Sequence, residues 1–348
     1  MSRRRPETRG KSTPPMRDAR RQPQPAIATS RRRRWMWPLV FAGLALIGLV
    51  SIGLVLWGTR QSSAQRGQPI GLSCAAFPPF AERQGFTNRA ALDTSDTHQP
   101  GMRLIEPGAA GQLPRVFQDP SWVQAGFLGV PVRDTAGNIY VAPAPQTSLI
   151  LNPPGQQTRI YKIDGTTGQM ALFATVPAAQ PPSGENPFGI LGLAVDCQTN
   201  SLYAASVAGS TRQQEIGRIV RIDLRTGQIT SQIDGIDGFG LAVGREKDVP
   251  GGRLYIARAR TPDIQSIALD KDGSLVGRPV LELAFGSLLD DGDGRVRRLS
   301  LATNGTLALT ITPFVYTLAP PSTAAQHLTF VFDQKQMVWQ PVPSQAQQ

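Results

Sequence analysis

Apolar and polar residues follow two different patterns along the chain. Residues 35–57 form one run of 23 residues without a charged side chain. From about residue 101 onwards, short stretches of alternating apolar and polar residues are separated by turns rich in Gly, Asp and Asn. The first pattern predicts one long apolar helix, and the second predicts β-strands whose side chains point alternately to two faces.

The apolar run at residues 35–57 is long enough to cross a membrane. A helix of this length rises about 34 Å, whereas the hydrocarbon core of a bilayer is about 30 Å thick. Residues 31–34 are all Arg and directly precede the run. The positive-inside rule therefore predicts a cytoplasmic N terminus and a chain that continues outside the cytoplasm. We expect a single-pass signal anchor in the cell membrane.

The alternative for this segment is a cleaved signal peptide. Ser62 and Ala64 form a pair of small residues before Gln65, as at a cleavage site. The apolar region of a signal peptide has about 7 to 15 residues, whereas this run has 23. The length favours an anchor that is retained.

The formal net charge of +11 is concentrated in residues 1–34. These residues hold 12 Lys and Arg against 2 Asp and Glu, a net of +10, which leaves +1 for residues 35–348. They contain no Phe, Trp or Tyr, so they cannot bury enough apolar area to fold. We expect a disordered basic cytoplasmic tail. Because it offers no aromatic side chain for base stacking, we expect no nucleic-acid partner.

Two kinds of half-unit alternate between residues 101 and 341. The first kind is an apolar strand, a turn and a second strand, and it occurs at residues 129–142, 192–205, 240–257 and, more loosely, 296–309. The second kind alternates apolar and polar residues into a turn, and it occurs at residues 159–169, 218–228 and, more loosely, 102–112, 263–274 and 327–337. Each half-unit is typical of a β-hairpin, with Gly supplying the positive φ of the turn.

A pair of such hairpins makes a four-stranded sheet, and repeated four-stranded sheets are typical of a β-propeller. The predicted fold class is all-β: a propeller of five or six four-stranded blades over residues 101–341. A linker or leader of low order precedes it at residues 58–100, and a disordered tail follows at 342–348. We expect the first and last half-units to complete one shared blade. A β-sandwich is the alternative, but it does not explain half-units that recur in the same order.

Cys74 and Cys197 are the only cysteines, and both lie on the predicted extracytoplasmic side, where disulfides form. A disulfide between them and two unrelated thiols both agree with the sequence. His98 and His327 are the only histidines, so the chain alone cannot supply a three-histidine metal site.

Oxygen-bearing side chains recur in the loops that enter the inner hairpins. These loops carry Glu185 and Asn186, then Asp237, then Asp291 and Asp293. If the innermost strands surround a central channel, the loops converge at one of its mouths, where oxygen ligands suit a divalent cation such as Ca²⁺ or Zn²⁺. The alternative is that Asn and Asp cap turns, as they do throughout β proteins.

The repeats resemble the six-bladed β-propeller superfamily that includes the senescence marker protein and gluconolactonase-like family, strictosidine synthase-like proteins and NHL-repeat proteins. Resemblance to the gluconolactonase-like branch implies a divalent metal held by a Glu, an Asn in a Pro-Asn-Gly turn and an Asp in a Pro-Asp-Gly turn. Asp237 fits the last of these, with Ile236 in place of Pro, and Asn186 fits the second in altered order. The Glu has no counterpart at residues 125–129.

No nucleophile elbow, phosphate loop or His-Glu-x-x-His motif occurs in the sequence. We therefore expect a membrane-anchored extracytoplasmic propeller that acts as a binding or scaffolding module, with a protein or glycan ligand on a propeller face and without catalysis or a cofactor. The alternative is a divalent-metal-dependent lactonase or hydrolase that acts on small extracytoplasmic sugars or lactones, with Asp237 and Asn186 as metal ligands.

Overall fold

The computed structural model describes residues 66–145, 148–289, 292–318 and 325–343. The predicted tail (1–34), the predicted anchor (35–57) and the C-terminal residues 344–348 lie outside these ranges. Among the residues that are described, none belongs to a helix that is long and apolar enough to span a membrane.

The described residues form five antiparallel sheets in which strands adjacent in sequence pair with each other. The first sheet contains β2 (Ala91–Asp93), β3 (Arg103–Glu106) and β4 (Arg115–Phe117). The second contains β5 (Val132–Arg133), β6 (Ile139–Val141), β7 (Arg159–Ile163) and β8 (Met170–Thr175). The third contains β9 (Ile190–Asp196), β10 (Ser201–Ser206), β11 (Arg218–Asp223) and β12 (Ile229–Asp234).

The last two sheets have the same order. The fourth contains β13 (Gly238–Glu246), β14 (Val249–Arg258), β15 (Asp263–Leu269) and β16 (Leu275–Ala284), and the short N-terminal strand β1 (Ile70–Gly71) pairs with its first strand, β13. The fifth contains β17 (Gly294–Leu301), β18 (Thr306–Pro313), β19 (Gln326–Asp333) and β20 (Val338–Pro341). The α-helix in the described part of the chain is α1 (Pro79–Arg83).

Five sheets with this order make a five-bladed β-propeller, which confirms the predicted fold class and fixes the blade number at five. The prediction of a blade shared by the two ends of the propeller was wrong. The fifth sheet is built from residues 294–341 alone, because β19 pairs with the adjacent hairpin strand β18 rather than with an N-terminal strand. The first sheet has three strands.

The predicted half-units follow the strand order of the blades. In the second to fifth sheets, the first kind supplies the first two strands, and the second kind supplies the third strand and the turn that leads into the fourth. The turn of the second kind is closed by its Asp: Oδ1 of Asp164 accepts hydrogen bonds from the backbone N–H of Thr166 (2.9 Å) and Thr167 (2.8 Å). Gly168 then takes a φ of 79°, a conformation that favours glycine.

The apolar core lies between neighbouring sheets. Ile163 packs with Trp122 between the first and second sheets, and further clusters join the second to the third, the third to the fourth and the fourth to the fifth. Among the described residues, no such cluster joins the fifth sheet to the first. Accordingly β10 and β14 are largely buried on both faces, whereas in β18 fully buried residues alternate with half-buried ones. One face of the fifth sheet is therefore left without an apolar partner.

Residues 66–71, at the described beginning of the predicted leader, are fixed against the fourth and fifth sheets. The backbone N–H of Gly71 donates to the carbonyl of Ala302 (2.9 Å), and Arg66 forms ion pairs with Glu246 (2.6 Å) and Glu282 (2.8 Å). A Cβ at position 71 would overlap the carbonyl oxygen of the residue before Ala302. These described residues of the leader are thus part of the folded domain.

Candidate functional site

A cavity of about 660 Å³ lies at the centre of the propeller. It is surrounded by the innermost strands of the second, third, fourth and fifth sheets, which are β5, β9, β13 and β17. Leu72 and Cys74 of the leader form part of its wall. On one side the cavity extends across the face of β18 and β19 that has no apolar partner. Its size is within the range of about 300 to 1,000 Å³ that is typical of ligand pockets.

Three arginines line this cavity, and no Asp or Glu does so among the described residues. Arg133 lies on β5, and Arg297 and Arg298 lie on β17. Arg133 and Arg297 are half-buried, and Arg298 is exposed. Burial lowers the pKa of the Arg297 guanidinium, and the charge of Arg298 lowers it further. Burial also lowers the pKa of Arg133. The cavity is therefore a cationic environment.

Polar side chains from three adjacent strands form a row on the same face of the fifth sheet. Arg298 on β17 is the partner of Thr310 on β18, and Thr310 is the partner of His327 on β19. Thr310 Oγ1 lies 3.4 Å from His327 Nδ1. All three residues line the cavity. Because side chains that share a cross-strand row project to one side of a sheet, the row presents a guanidinium, a hydroxyl and an imidazole together.

Asp237, a predicted metal ligand, directly precedes β13 and is fully buried (0% exposed). Its Oδ1 accepts hydrogen bonds from Ser210 Oγ (2.6 Å) and Gly217 N (3.0 Å). Its Oδ2 accepts from the Tyr316 hydroxyl and from Arg260 Nη1 (3.4 Å). Burial and the hydrogen bond to Asp237 raise the pKa of Tyr316, so the hydroxyl remains a donor. The carboxylate is therefore satisfied by four protein donors from the loops of three blades.

Asn186, the other predicted ligand, lies close to Asp237 and is also buried. Its Nδ2 donates to the carbonyl oxygens of Val207 and Ser210, both at 2.8 Å, and its Oδ1 accepts from the backbone N–H of Phe188 (3.1 Å). Ser210 thus contacts both predicted ligands, through its carbonyl to Asn186 and through its hydroxyl to Asp237. The structure brings these two residues to the same loop.

The other acidic residues of the predicted channel mouth take different positions. Glu185 is exposed, Asp293 accepts a hydrogen bond from Arg295 Nη2 (3.0 Å), and Asp291 lies outside the described residues. In the described part of the chain, no three His, Cys, Asp or Glu side chains are grouped as they would be around a metal ion.

Aromatic rings cover the end of the propeller next to Asp237. Phe314 lies 5.3 Å from Phe188, 4.8 Å from Phe239 and 5.3 Å from Tyr316, measured between ring centroids. Edge and tilted contacts at these distances are favourable beyond the apolar area they bury. Together with the hydrogen bonds of Asp237, they make this end a packed structural centre.

Cys74 and Cys197 form a disulfide, with a Cα–Cα distance of 5.5 Å. Cys197 lies in the turn between β9 and β10, and Cys74 follows β1 in the leader. The bond therefore fixes one wall of the central cavity to the third blade. His327 lines the cavity, whereas His98 lies in an exposed turn before β3.

No protein-family model and no curated protein match the chain. Solved structures resemble it. The calcium-binding protein regucalcin from Agrobacterium tumefaciens is 12% identical, over 71% of this chain and 70% of its own, with a TM-score of 0.43. Periplasmic gluconolactonase from Pseudomonas aeruginosa is 16% identical, over 53% of this chain and 51% of its own, with a TM-score of 0.34.

Hydrazine synthase from Kuenenia stuttgartiensis is 11% identical, over 59% of this chain and 46% of its own, with a TM-score of 0.35. The chain spans about half the length of this protein and of the gluconolactonase. The predicted resemblance to a β-propeller superfamily is confirmed at the level of the fold, which rests on the five sheets of the chain itself.

The sequence prediction missed the arginines of the cavity. The repeat contains a signal for them. The innermost strands of the third and fourth blades read Leu-Ala-Val. The innermost strand of the fifth blade instead contains Arg297 and Arg298, and that of the second blade contains Arg133. Charged residues at positions that are apolar in other copies of a repeat mark a surface with a separate role.

Proposed function

We propose that this chain is a membrane-anchored, extracytoplasmic β-propeller that binds a solute or glycan in its central cavity without catalysis. The observation that carries the proposal is the cavity of about 660 Å³, which four innermost strands frame and whose wall combines apolar residues with a few polar ones. Such a composition is typical of a ligand site. The cavity is also distinct from the packed centre around Asp237.

The location outside the cytoplasm is supported by the sequence. The uncharged run at residues 35–57 and the four arginines before it favour an anchor with a cytoplasmic N terminus. The disulfide between Cys74 and Cys197 agrees with an oxidising compartment.

Binding is tested on the full-length chain purified in detergent. A panel of neutral sugars and sugar acids is screened by the rise in melting temperature. A variant that fills the cavity, Ala308→Trp, is compared with Leu281→Trp on the exposed face of β16. We expect stabilisation of the wild type and of Leu281→Trp, and none of Ala308→Trp. If no compound stabilises the wild type, or if Ala308→Trp responds equally, the proposal is wrong.

The second candidate is a metal-dependent lactonase, and the proximity of Asn186 and Asp237 through Ser210 favours it. As they stand, these residues do not fit a cation, because both Asp237 oxygens and the Asn186 oxygen already accept hydrogen bonds. Binding of a cation would require displacement of the Tyr316 and Arg260 donors.

Hydrolysis of glucono-δ-lactone with added Ca²⁺, Zn²⁺ or Mn²⁺ distinguishes the two candidates. A binding module leaves the lactone at its spontaneous rate of hydrolysis with each metal. Turnover above that rate, abolished by Asp237→Asn and by EDTA, would establish the lactonase instead.

A further inference from the structure

We propose that the central cavity binds an oxyanion, namely a ligand that carries a carboxylate, phosphate or sulfate group, against the row of Arg298, Thr310 and His327 and the arginines Arg133 and Arg297. The inference rests on the proposed function, in that the cavity holds a ligand. It adds the chemical class of that ligand and the residues that recognise it.

The first argument is the contrast with other arginines of the same domain. Arg245 donates to both carboxylate oxygens of Asp196 at 2.6 and 2.7 Å, and Arg258 donates to both of Glu215 at 2.6 and 2.8 Å. Arg297 has no such partner among the described residues, although it is half-buried. A cation withdrawn from water without a counter-charge is unfavourable, so an anion that entered the cavity would be bound favourably.

The second argument is the arrangement of donors. Guanidinium groups bind carboxylate and phosphate through two parallel hydrogen bonds, and hydroxyl and imidazole groups add single bonds to the remaining oxygens. Arg298, Thr310 and His327 present these three kinds of group in one cross-strand row, with Thr310 Oγ1 and His327 Nδ1 at 3.4 Å. An oxyanion placed against this row contacts all three.

The third argument is the absence of competing charge. Among the described residues that line the cavity, there is no carboxylate to neutralise the arginines or to repel an anion. Apolar residues on β9 and β13, including Leu193 and Leu241, also line the cavity. A cavity of about 660 Å³ is larger than an inorganic anion needs. The ligand therefore has a body as well as an anionic group, as a sugar acid or a sugar phosphate does.

The experiment is titration calorimetry on the full-length chain with four probes. Glucuronate and glucose 6-phosphate carry the two kinds of oxyanion on a sugar, inorganic phosphate carries the anion alone, and glucose is the neutral match. We expect at least one charged sugar to bind about tenfold or more tightly than glucose. Its affinity should fall as NaCl rises from 20 to 300 mM. The arms with glucuronate and glucose 6-phosphate show which oxyanion is preferred.

Variants assign the binding to the row. Arg298→Gln should weaken binding of the charged sugar about tenfold or more, and Arg298→Lys, which keeps the charge but not the paired hydrogen bonds, should weaken it less. Arg278→Gln, at an exposed position on β16, is the matched control and should bind as the wild type does. Arg298 is itself exposed, so its replacement leaves the core intact, and the melting temperature verifies this.

The outcomes separate this inference from the proposed function. If glucose binds as tightly as the charged sugars, and Arg298→Gln binds like the wild type, the oxyanion inference is wrong while the cavity remains a binding site. If none of the probes binds at any salt concentration, the oxyanion inference is also wrong. In that case, the wider sugar panel and Ala308→Trp decide on the cavity itself.

Discussion

Arg66 holds the fully buried side chain of Glu246 through two hydrogen bonds, from Nε at 2.9 Å and from Nη2 at 2.6 Å, although the residues are 180 positions apart. The Tyr255 hydroxyl donates to the same carboxylate at 2.6 Å. Arg66 also reaches Glu282. The first described residue is therefore held by charge to the fourth blade, and the stability that this ion pair contributes should depend on pH.

Glu246 should make the stability of the domain depend on pH. Burial raises the pKa of Glu246, but the hydrogen bonds from Arg66 and Tyr255 outweigh it, so the net pKa lies below the ordinary value of 4.5. A depressed pKa contributes stability above pH 4.5, and this contribution is lost as the pH falls through the lower, folded-state value. Urea unfolding between pH 3 and 6 should show a steeper loss for the wild type than for Glu246→Gln. Glu185→Gln, at an exposed position, should keep the wild-type slope.

Removal of the cation should be costly at neutral pH. Arg66→Gln removes the ion-pair partner of Glu282 and one of the two guanidinium partners of Glu246, whose carboxylate keeps Arg253 Nε at 3.1 Å. The expected loss of unfolding free energy is about 2 kcal/mol. Urea unfolding at pH 7 measures it. A loss below about 0.5 kcal/mol would show that the ion pair behaves like an exposed one.

The disulfide should contribute strongly to stability, because it closes a loop of 123 residues. In the chain-entropy treatment such a loop corresponds to about 5 kcal/mol, an upper value for the cost of its removal. The double variant Cys74→Ser, Cys197→Ser should melt at a lower temperature than the oxidised wild type. Calorimetry of the wild type with dithiothreitol should reproduce the melting temperature of the variant. Equal melting of all three samples would contradict the prediction.

Gly71 should be required for docking of the leader. A Cβ at this position would overlap the backbone carbonyl of Leu301, which cannot move away as a flexible side chain can. We expect Gly71→Ala to lose about 2 kcal/mol of stability and to expose residues 66–76 to limited proteolysis. Gly155→Ala, where an added Cβ meets no atom within 4 Å, is the control and should resist the protease as the wild type does.

Asp237 should act as a structural centre whether or not a divalent metal is present. Asp237→Asn disturbs four hydrogen bonds to a buried carboxylate, so we expect a loss of about 3 kcal/mol in unfolding free energy. Tyr316→Phe removes one donor and should cost about 1 kcal/mol. The decrease in melting temperature of each variant relative to the wild type should be the same with EDTA as with added Ca²⁺. A wild type that EDTA destabilises as much as the Asp237 replacement does would point to a bound metal instead.

The repeated part of the fold was predictable from local pattern. Ile163 and Ile222 are fully buried, as the alternation of apolar and polar residues predicts, and the turns that end in Gly168 and Gly227 have positive φ. These features depend only on residues a few positions apart. The pairing of Ile70 with Arg245 could not be predicted in this way, because a strand of two residues has no periodicity and its partner is distant in sequence.

In the candidate site too, features set by nearby residues were predictable, whereas contacts between distant residues were not. The turn position of Asn186 and Asp237 in successive repeats predicted that they lie close together, and they share Ser210. Their partners Arg260 and Tyr316 come from segments after β14 and β18, and no short-range signal connects those segments to Asp237. The oxygen-rich loops indicated a cation. In the structure, protein donors from neighbouring blades contact the Asp237 oxygens, and these contacts have no signal in the sequence.

The docking of the leader also sets an order of events during synthesis. The partners of residues 66–71 lie between Arg245 and Gln334, so they leave the ribosome long after the leader does. Until then the leader segment has no strand to pair with, and Cys74 cannot form its disulfide with Cys197. Residues 66–71 are therefore translated before the rest of the described domain but reach their native positions late. They can dock only after the fourth and fifth blades have been synthesised.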